Sequence, residues 1–278
     1  MEHQKKSTNV VLFILLVILA VAFLAPIFIV LINSFKGQFF ISDAPFQFPT
    51  RETFVEFENY VNGVEAIGFF SAFGYSFYIT VLSVLVIVLF TSMTAWFITR
   101  VKNWFTQLLY YLFVFSMIVP FQMVMFTMVK TTNFLRLDNP TGVVLIYLGF
   151  GAGLSIFMFS GFVKSVPIDI EEAAMIDGCN PLQMYFKVIF PVLKPTAVTV
   201  AILNTMWVWN DYLLPALVIG NNYRTIPIAV QYLQGGYGSR DMGALMAMLI
   251  LSIIPIIIFY LASQKHIIRG VVAGAVKG

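Results

Sequence analysis

The chain has one cysteine, two histidines and few charges among its 278 residues. A single Cys179 excludes an internal disulfide. His3 and His266 lie near the two ends, where a solvated or lipid-facing imidazole is the ordinary state, so neither a metal site nor a catalytic histidine is expected. Neither His-Glu-x-x-His nor Gly-x-Ser-x-Gly occurs, which argues against an intramembrane hydrolase. A Walker A loop is also missing, so the chain is not expected to hydrolyse ATP by itself. Charged residues make up 10% of the sequence, against about 25% in an average soluble domain. The net charge of +3 is not gathered into a basic face, which argues against nucleic acid as a partner.

What is present is apolar. The sequence is 60% hydrophobic and 16% aromatic, and its mean hydropathy is +0.90. Water could not solvate that much Phe, Ile, Leu and Val, so the reading is an all-α protein crossing the lipid bilayer several times. Roughly 20 apolar residues carry a helix across a ~30 Å hydrocarbon core. Six segments qualify: 10–32, 77–98, 104–129, 141–163, 195–214 and 242–263. The first has a basic start but no small-residue cleavage site, and reads as a retained anchor. The fifth holds Asn204, meets Asp211 and Pro215, and reads as broken near its outer end. Pro26, Pro120 and Pro255 fall inside spans and are expected to kink them.

Six crossings put both termini on one side, and lysine and arginine accumulate in cytoplasmic loops. With the N-terminus inside, ten basic residues are cytoplasmic: Lys5, Lys6, Arg100, Lys102, Lys164, Lys187, Lys194, Lys265, Arg269 and Lys277. Six are outside. Both termini are therefore read as cytoplasmic. The 33–65 segment becomes a long, acid-rich outer loop, and 164–194 the principal inner one.

The inner loop reads IEEAAMIDGCNPLQMYFKVIFP over 170–191, and four of the 13 acids in the chain fall in or just before its first half: Asp169, Glu171, Glu172 and Asp177. Local rules divide it. Ser165 can cap a helix whose first turn takes Pro167, with the acids at its positive N-terminal end. Gly178 suits a left-handed stop, and Asn180-Pro181 suit a restart as cap and first helical residue. Leu182, Tyr185, Phe186 and Ile189 have the spacing of one apolar helical face. A helix–turn–helix follows. Its acids could simply be solvated, but helices that lie on the anionic inner leaflet favour Lys and Arg. A protein partner carrying basic residues is the better fit.

These residues also carry a resemblance. Glu172-Ala173-Ala174, three residues, Gly178, nine residues and Val188-Ile189-Phe190-Pro191 resemble the EAA signature, E-A-A-x3-G-x9-I-x-L-P. That signature marks membrane subunits of ATP-binding-cassette importers fed by a binding protein. Val188 and Phe190 depart from it but stay apolar. The resemblance covers nearly the whole chain and is nearest to the shorter, second permease of maltose-type sugar importers. Trp209-Asn210-Asp211-Tyr212, Thr225-Ile226-Pro227 and the small-residue tail 270–278 support it, while Gly74-Tyr75-Ser76 departs from the Asn-Ser common there.

The resemblance implies a bacterial or archaeal cell-membrane protein and several partners. These are a second permease subunit forming a heterodimer, two ATPase subunits that bind the ATP and magnesium, and an extracellular solute-binding protein. No cofactor is expected in this chain. The inner loop would dock in the ATPase through Glu172, Ala173, Ala174, Gly178 and Pro191, with Glu171 turned about 100° away as the lesser contact. The tail (Gly274, Lys277 and Gly278) would reach toward the ATPase dimer. The outer acidic segment and 221–241 would meet the binding protein.

Polar residues at membrane depth face a cavity or a neighbouring helix. Gln122, Asn204, Trp207 and Asn210 are therefore candidates for a saccharide path, each with helix packing as the competing role. Two other functions remain open from the residues: an ion-coupled secondary transporter, with Asp211 as the nearest thing to a buried coupling charge, and an importer of a non-sugar solute such as glycerol phosphate.

Overall fold

A computed structural model describes the backbone of residues 2–275 apart from 221 and 235–240, and side chains between 9 and 265 within that range. Among the described residues the chain is helical, with one isolated antiparallel bridge between Lys36 and Phe54. Five helices are long and apolar enough to cross a membrane, and a bent pair makes a sixth span if it crosses as one. The residues fall into two compact units, 1–70 with 229–257, and 71–228 with 258–278.

The first unit opens with α1 (Glu2–Asn33), whose residues 10–24 are almost all exposed, as a lipid-facing helix would be. Pro26 lies within it without ending it. Beyond α1 the acid-rich segment folds into a polar knot carrying the short α2 (Gln38–Asp43) and α3 (Glu58–Ile67). Buried Asn59 donates to the carbonyls of Ser34 and Lys36, both at 2.8 Å. Lys36 is 1% exposed, and its Nζ donates to Ala44 O at 2.8 Å and Asn33 Oδ1 at 3.2 Å. Burial draws the pKa of that ammonium below its usual range. The buried side-chain donors of the knot, Asn33, Ser34, Lys36 and Asn59, all find acceptors, which is the condition for keeping a lysine inside. The acid-rich loop that follows α1 is therefore an ordered structure.

The second unit holds the spans between residues 71 and 228, and the last candidate span, Met242–Lys265, lies mostly in the first. α4 (Phe69–Arg100) follows the left-handed Gly68 that ends α3, and starts eight residues before the apolar count alone would place it. The expected single third span is two helices instead. α5 (Trp104–Ser116) and α6 (Phe121–Phe134) meet at 107°. The cause is Pro120, which lacks an N–H and pushes the preceding residue out of the helical region, so the chain breaks where a mild kink was expected.

α7 (Pro140–Val163), capped by Asn139 with Pro140 in its first turn, is the most buried span and forms the core. It packs on α5 and on α10 (Phe190–Asn210). Between α7 and α10 lie α8 (Asp169–Ile176), the single turn α9 (Pro181–Met184) and a π-helical turn, Tyr185–Ile189, that runs straight into α10. α10 stops at Asp211, and the chain resumes as α11 (Leu213–Val218). α12 (Ile226–Tyr232) and α13 (Met242–Ala275) complete the order, and Pro255 lies within α13.

Candidate functional site

Residues 164–194 leave the end of α7 and return into α10, and each turn has a local cause. Ser165 does not cap α8, because its hydroxyl donates back to Phe162 O at 2.7 Å; Ile168 stands at the cap position instead. Asp169, Glu171 and Glu172 occupy the first turn, where the unpaired N–H groups of a helix favour carboxylates. At the other end Gly178 has φ +80°. Its N–H reaches Met175 O, and that of Cys179 reaches Ala174 O, both at 3.0 Å. That bond pair is a Schellman stop, which requires a left-handed residue and so favours glycine. Asn180 then caps α9 reciprocally with Gln183, at 2.9 and 3.1 Å, and Pro181 takes the first helical position.

Glu171 and Glu172 go opposite ways. Glu172 and Ala173 are exposed, and Ala174 is buried. Glu171 is 6% exposed. Its Oε1 accepts from Arg100 Nε at 2.7 Å and its Oε2 from Trp96 Nε1 at 3.1 Å, so it is held inside the chain by α4. Glu172 shares its face of α8 with Ile176, one turn on and 87% exposed, while Leu182 in α9 is 62% exposed. Pro191 is exposed in the first turn of α10. The four residues expected on one apolar face are divided. Tyr185 and Ile189 are buried, while Leu182 and Phe186 are exposed. The π turn is the reason, since its wider winding breaks the i, i+3, i+4 register that the spacing assumes.

The path candidates differ in their surroundings. Asn204 is buried, and its amide donates to Ser155 Oγ at 3.3 Å and Val200 O at 2.8 Å. The Trp207 ring stands edge-on to Tyr147, 5.3 Å between centroids. Asn210 is exposed and turned back on Met206 O at 2.7 Å. Gln122 is exposed on α6. One pairing was not foreseen. The Tyr147 hydroxyl donates to Asp211 Oδ2 at 3.0 Å, while Asp211 Oδ1 accepts from the N–H of Leu213 and so starts α11. The four-residue spacing of Tyr147, Gly151 and Ser155 could have suggested a single contact face on α7. Of the tail, Lys277 and Gly278 lie outside the described residues, and Gly274 lies in α13. No group of metal-ligating side chains occurs among the described residues.

A helical hairpin with an EAA-spaced turn, set between apolar spans, can now be compared with known proteins. The model of the binding-protein-dependent transport system inner membrane component family matches residues 87–273. The chain belongs to that family. Among curated relatives it is 36% identical over 262 residues to the "Probable starch degradation products transport system permease protein AmyC" of Thermoanaerobacterium thermosulfurigenes, covering 94% of each chain. It is also 36% identical over 282 residues to the "Multiple sugar-binding transport system permease protein MsmG" of Streptococcus mutans, covering 100% of each. In fold it is similar to a chain in the crystal structure of a bacterial ABC transporter involved in the import of the acidic polysaccharide alginate. That match has a TM-score of 0.77 and 23% identity, over 94% of this chain and 97% of the other. As a family member the chain is a multi-pass membrane permease subunit of an ATP-binding-cassette importer, a kind of system that works with a partner permease, an ATPase and a binding protein.

Proposed function

We propose that this permease is the shorter of two unlike permease subunits in a bacterial or archaeal cell membrane, and that it imports an oligosaccharide. In this reading both termini are cytoplasmic, and the hairpin 164–194 docks on one of two ATPase subunits. ATP and magnesium belong to those partners, and this chain hydrolyses nothing itself. An extracellular binding protein delivers the solute to the outer face, where the knot of residues 33–65 offers an ordered platform. The tail 270–278 reaches toward the ATPase pair.

The observation that carries this reading is the outward face of the hairpin. Glu172 stands exposed with Ile176 one turn on along α8, and the left-handed Gly178 ends that helix behind it. An exposed carboxylate with a bare isoleucine on the same helix face suits a protein surface carrying a basic residue better than it suits water or an anionic leaflet. The sugar assignment is supported by the names of the relatives at 36% identity, which specify starch degradation products and multiple sugars. Trp207, part-exposed at one end of α10, and the exposed amides of Asn210 and Gln122 supply the stacking and hydrogen-bonding groups that a saccharide path uses.

The test is co-purification of the ATPase with tagged permease, alongside uptake of labelled maltodextrin. Glu172→Lys and Gly178→Leu are each expected to insert normally, yet to lose the ATPase and uptake together. Normal pull-down and normal uptake in both variants would overturn the docking reading. Uptake of glycerol phosphate but not of any oligosaccharide would overturn the substrate.

A further inference from the structure

The docking reading accounts for Glu172 but leaves unexplained why its neighbour Glu171 is bound so tightly inside the chain. Both Glu171 carboxylate oxygens are used by α4, one by Arg100 Nε at 2.7 Å and one by Trp96 Nε1 at 3.1 Å. Arg100 also takes hold of the segment leading into α8, since its Nη2 donates to Val166 O at 2.9 Å. The other arm of the hairpin is fastened to the same helix. Tyr185 is fully buried and shares a hydrogen bond of 2.6 Å with Ser92 Oγ, and its ring lies 5.9 Å from that of Trp96. Ser92, Trp96 and Arg100 follow one another at four-residue spacing, so they form a single stripe along α4.

We infer that Glu171, Trp96 and Arg100, together with Tyr185 and Ser92, are positioning residues that latch both arms of the hairpin to α4 and make α4 the transmembrane helix that the ATPase drives. The inference rests on the docking reading and adds the output side of the same lever. The physical case is one of stiffness. A solvated contact yields to displacement because water replaces it. A buried carboxylate whose two oxygens are both satisfied cannot be drawn away from its arginine without leaving an uncompensated charge in a poorly solvated site. A push on the exposed Glu172 face therefore moves Glu171, and Glu171 carries α4 with it. The arms lie on either side of Gly178, so fastening both also prevents the hairpin from absorbing the push by pivoting at its own bend.

The experiment uses the assembled transporter in proteoliposomes, supplied with its binding protein, and reads ATPase association, ATP hydrolysis and sugar uptake. Glu171→Gln and, independently, Tyr185→Phe are expected to keep the ATPase bound and hydrolysing. Uptake should fall roughly tenfold, the size of an ordinary coupling between sites, so ATP consumed per sugar rises by the same factor. The exchange of Glu171→Arg with Arg100→Glu should recover part of the uptake that either single change loses. A purely structural staple would lower the amount of folded transporter and leave that ratio alone. If Glu171→Gln does not insert in the membrane, Tyr185→Phe, which removes one hydroxyl and keeps the ring, carries the measurement.

An unchanged ATP-to-sugar ratio in the variants that assemble overturns the latch. So does loss of ATPase binding along with uptake, because the pair would then only shape the docking face. The two proposals fail differently. Normal pull-down and uptake in both Glu172→Lys and Gly178→Leu remove the docking reading. An unaltered ratio in Glu171→Gln, with Glu172→Lys releasing its ATPase, removes the latch alone.

Discussion

Asn204 and Trp207 stand one turn apart on α10, and their surroundings assign them different work. The Asn204 amide bridges to Ser155 on α7 and lies against Gly151, where an added Cβ would come within 3.0 Å of Asn204 Oδ1. It is an interhelical fastener, so Asn204→Leu should destabilise the inserted protein by about 1 kcal/mol. Thermal melting in detergent would register that loss, with little change in the apparent KM for sugar. Trp207, 39% exposed, has one edge on Tyr147 and much of its surface free. Trp207→Ala should raise the KM for uptake several-fold while the melting curve moves little. Identical effects from the two changes would show that both residues serve packing.

Among the elements, α7 organises the second unit because its small residues let neighbours come close. Ser155 and Gly151 meet Asn204, and Tyr147 meets Trp207 and Asp211, so α7 and α10 run antiparallel with matched polar and aromatic contacts. On another side Gly153 faces α5, and a Cβ there would lie 2.7 Å from the Phe113 carbonyl oxygen and 2.7 Å from Ser116 Oγ. A backbone oxygen cannot rotate away. Gly153→Ala is therefore expected to separate α5 from α7 at a cost of about 1–3 kcal/mol, the usual penalty for overpacking. Size-exclusion chromatography and melting in detergent would register it, and an unshifted melting curve would mean that α5 can be displaced freely. Small-residue contacts of this kind are the ordinary means by which helices associate in lipid, where no hydrophobic drive distinguishes neighbour from solvent.

For the molecule as a whole, the orientation assigned from lysine and arginine can be tested with the chain as it stands. Cys179 is its only cysteine and sits part-exposed in the turn beside Gly178. A membrane-impermeant maleimide should label it in inside-out vesicles and leave it unlabelled in intact cells. Labelling in intact cells would place the hairpin outside and remove the ATPase from its reach. The hairpin itself was largely legible, because caps, a left-handed glycine and an Asn-Pro restart are decisions taken within four or five residues. The division of Tyr185 and Ile189 from Leu182 and Phe186 was not, because periodicity assumes α-helical winding and cannot announce a π turn. The break at Pro120 lay between these cases: the proline was visible, but its 107° consequence depends on where α5 and α6 find packing partners.

What the sequence determined by itself is what short-range chemistry and transfer free energy decide. So apolar a chain had to enter a bilayer, its runs of roughly 20 apolar residues had to cross as helices, which satisfy their own backbone in lipid, and its 164–194 loop had to turn at Gly178. Tertiary structure alone supplied the reason why Glu171 turns inward and Glu172 outward, an order that the resemblance had implied without a cause. Glu171 and Glu172 are the same residue type on the same helix turn, and local rules rank them only by their angle on the helix. The choice is made by Trp96 and Arg100, more than seventy positions earlier in the chain, which reach one carboxylate and leave the other exposed. A buried charge must be paired, and its partner is found only when distant segments are brought together.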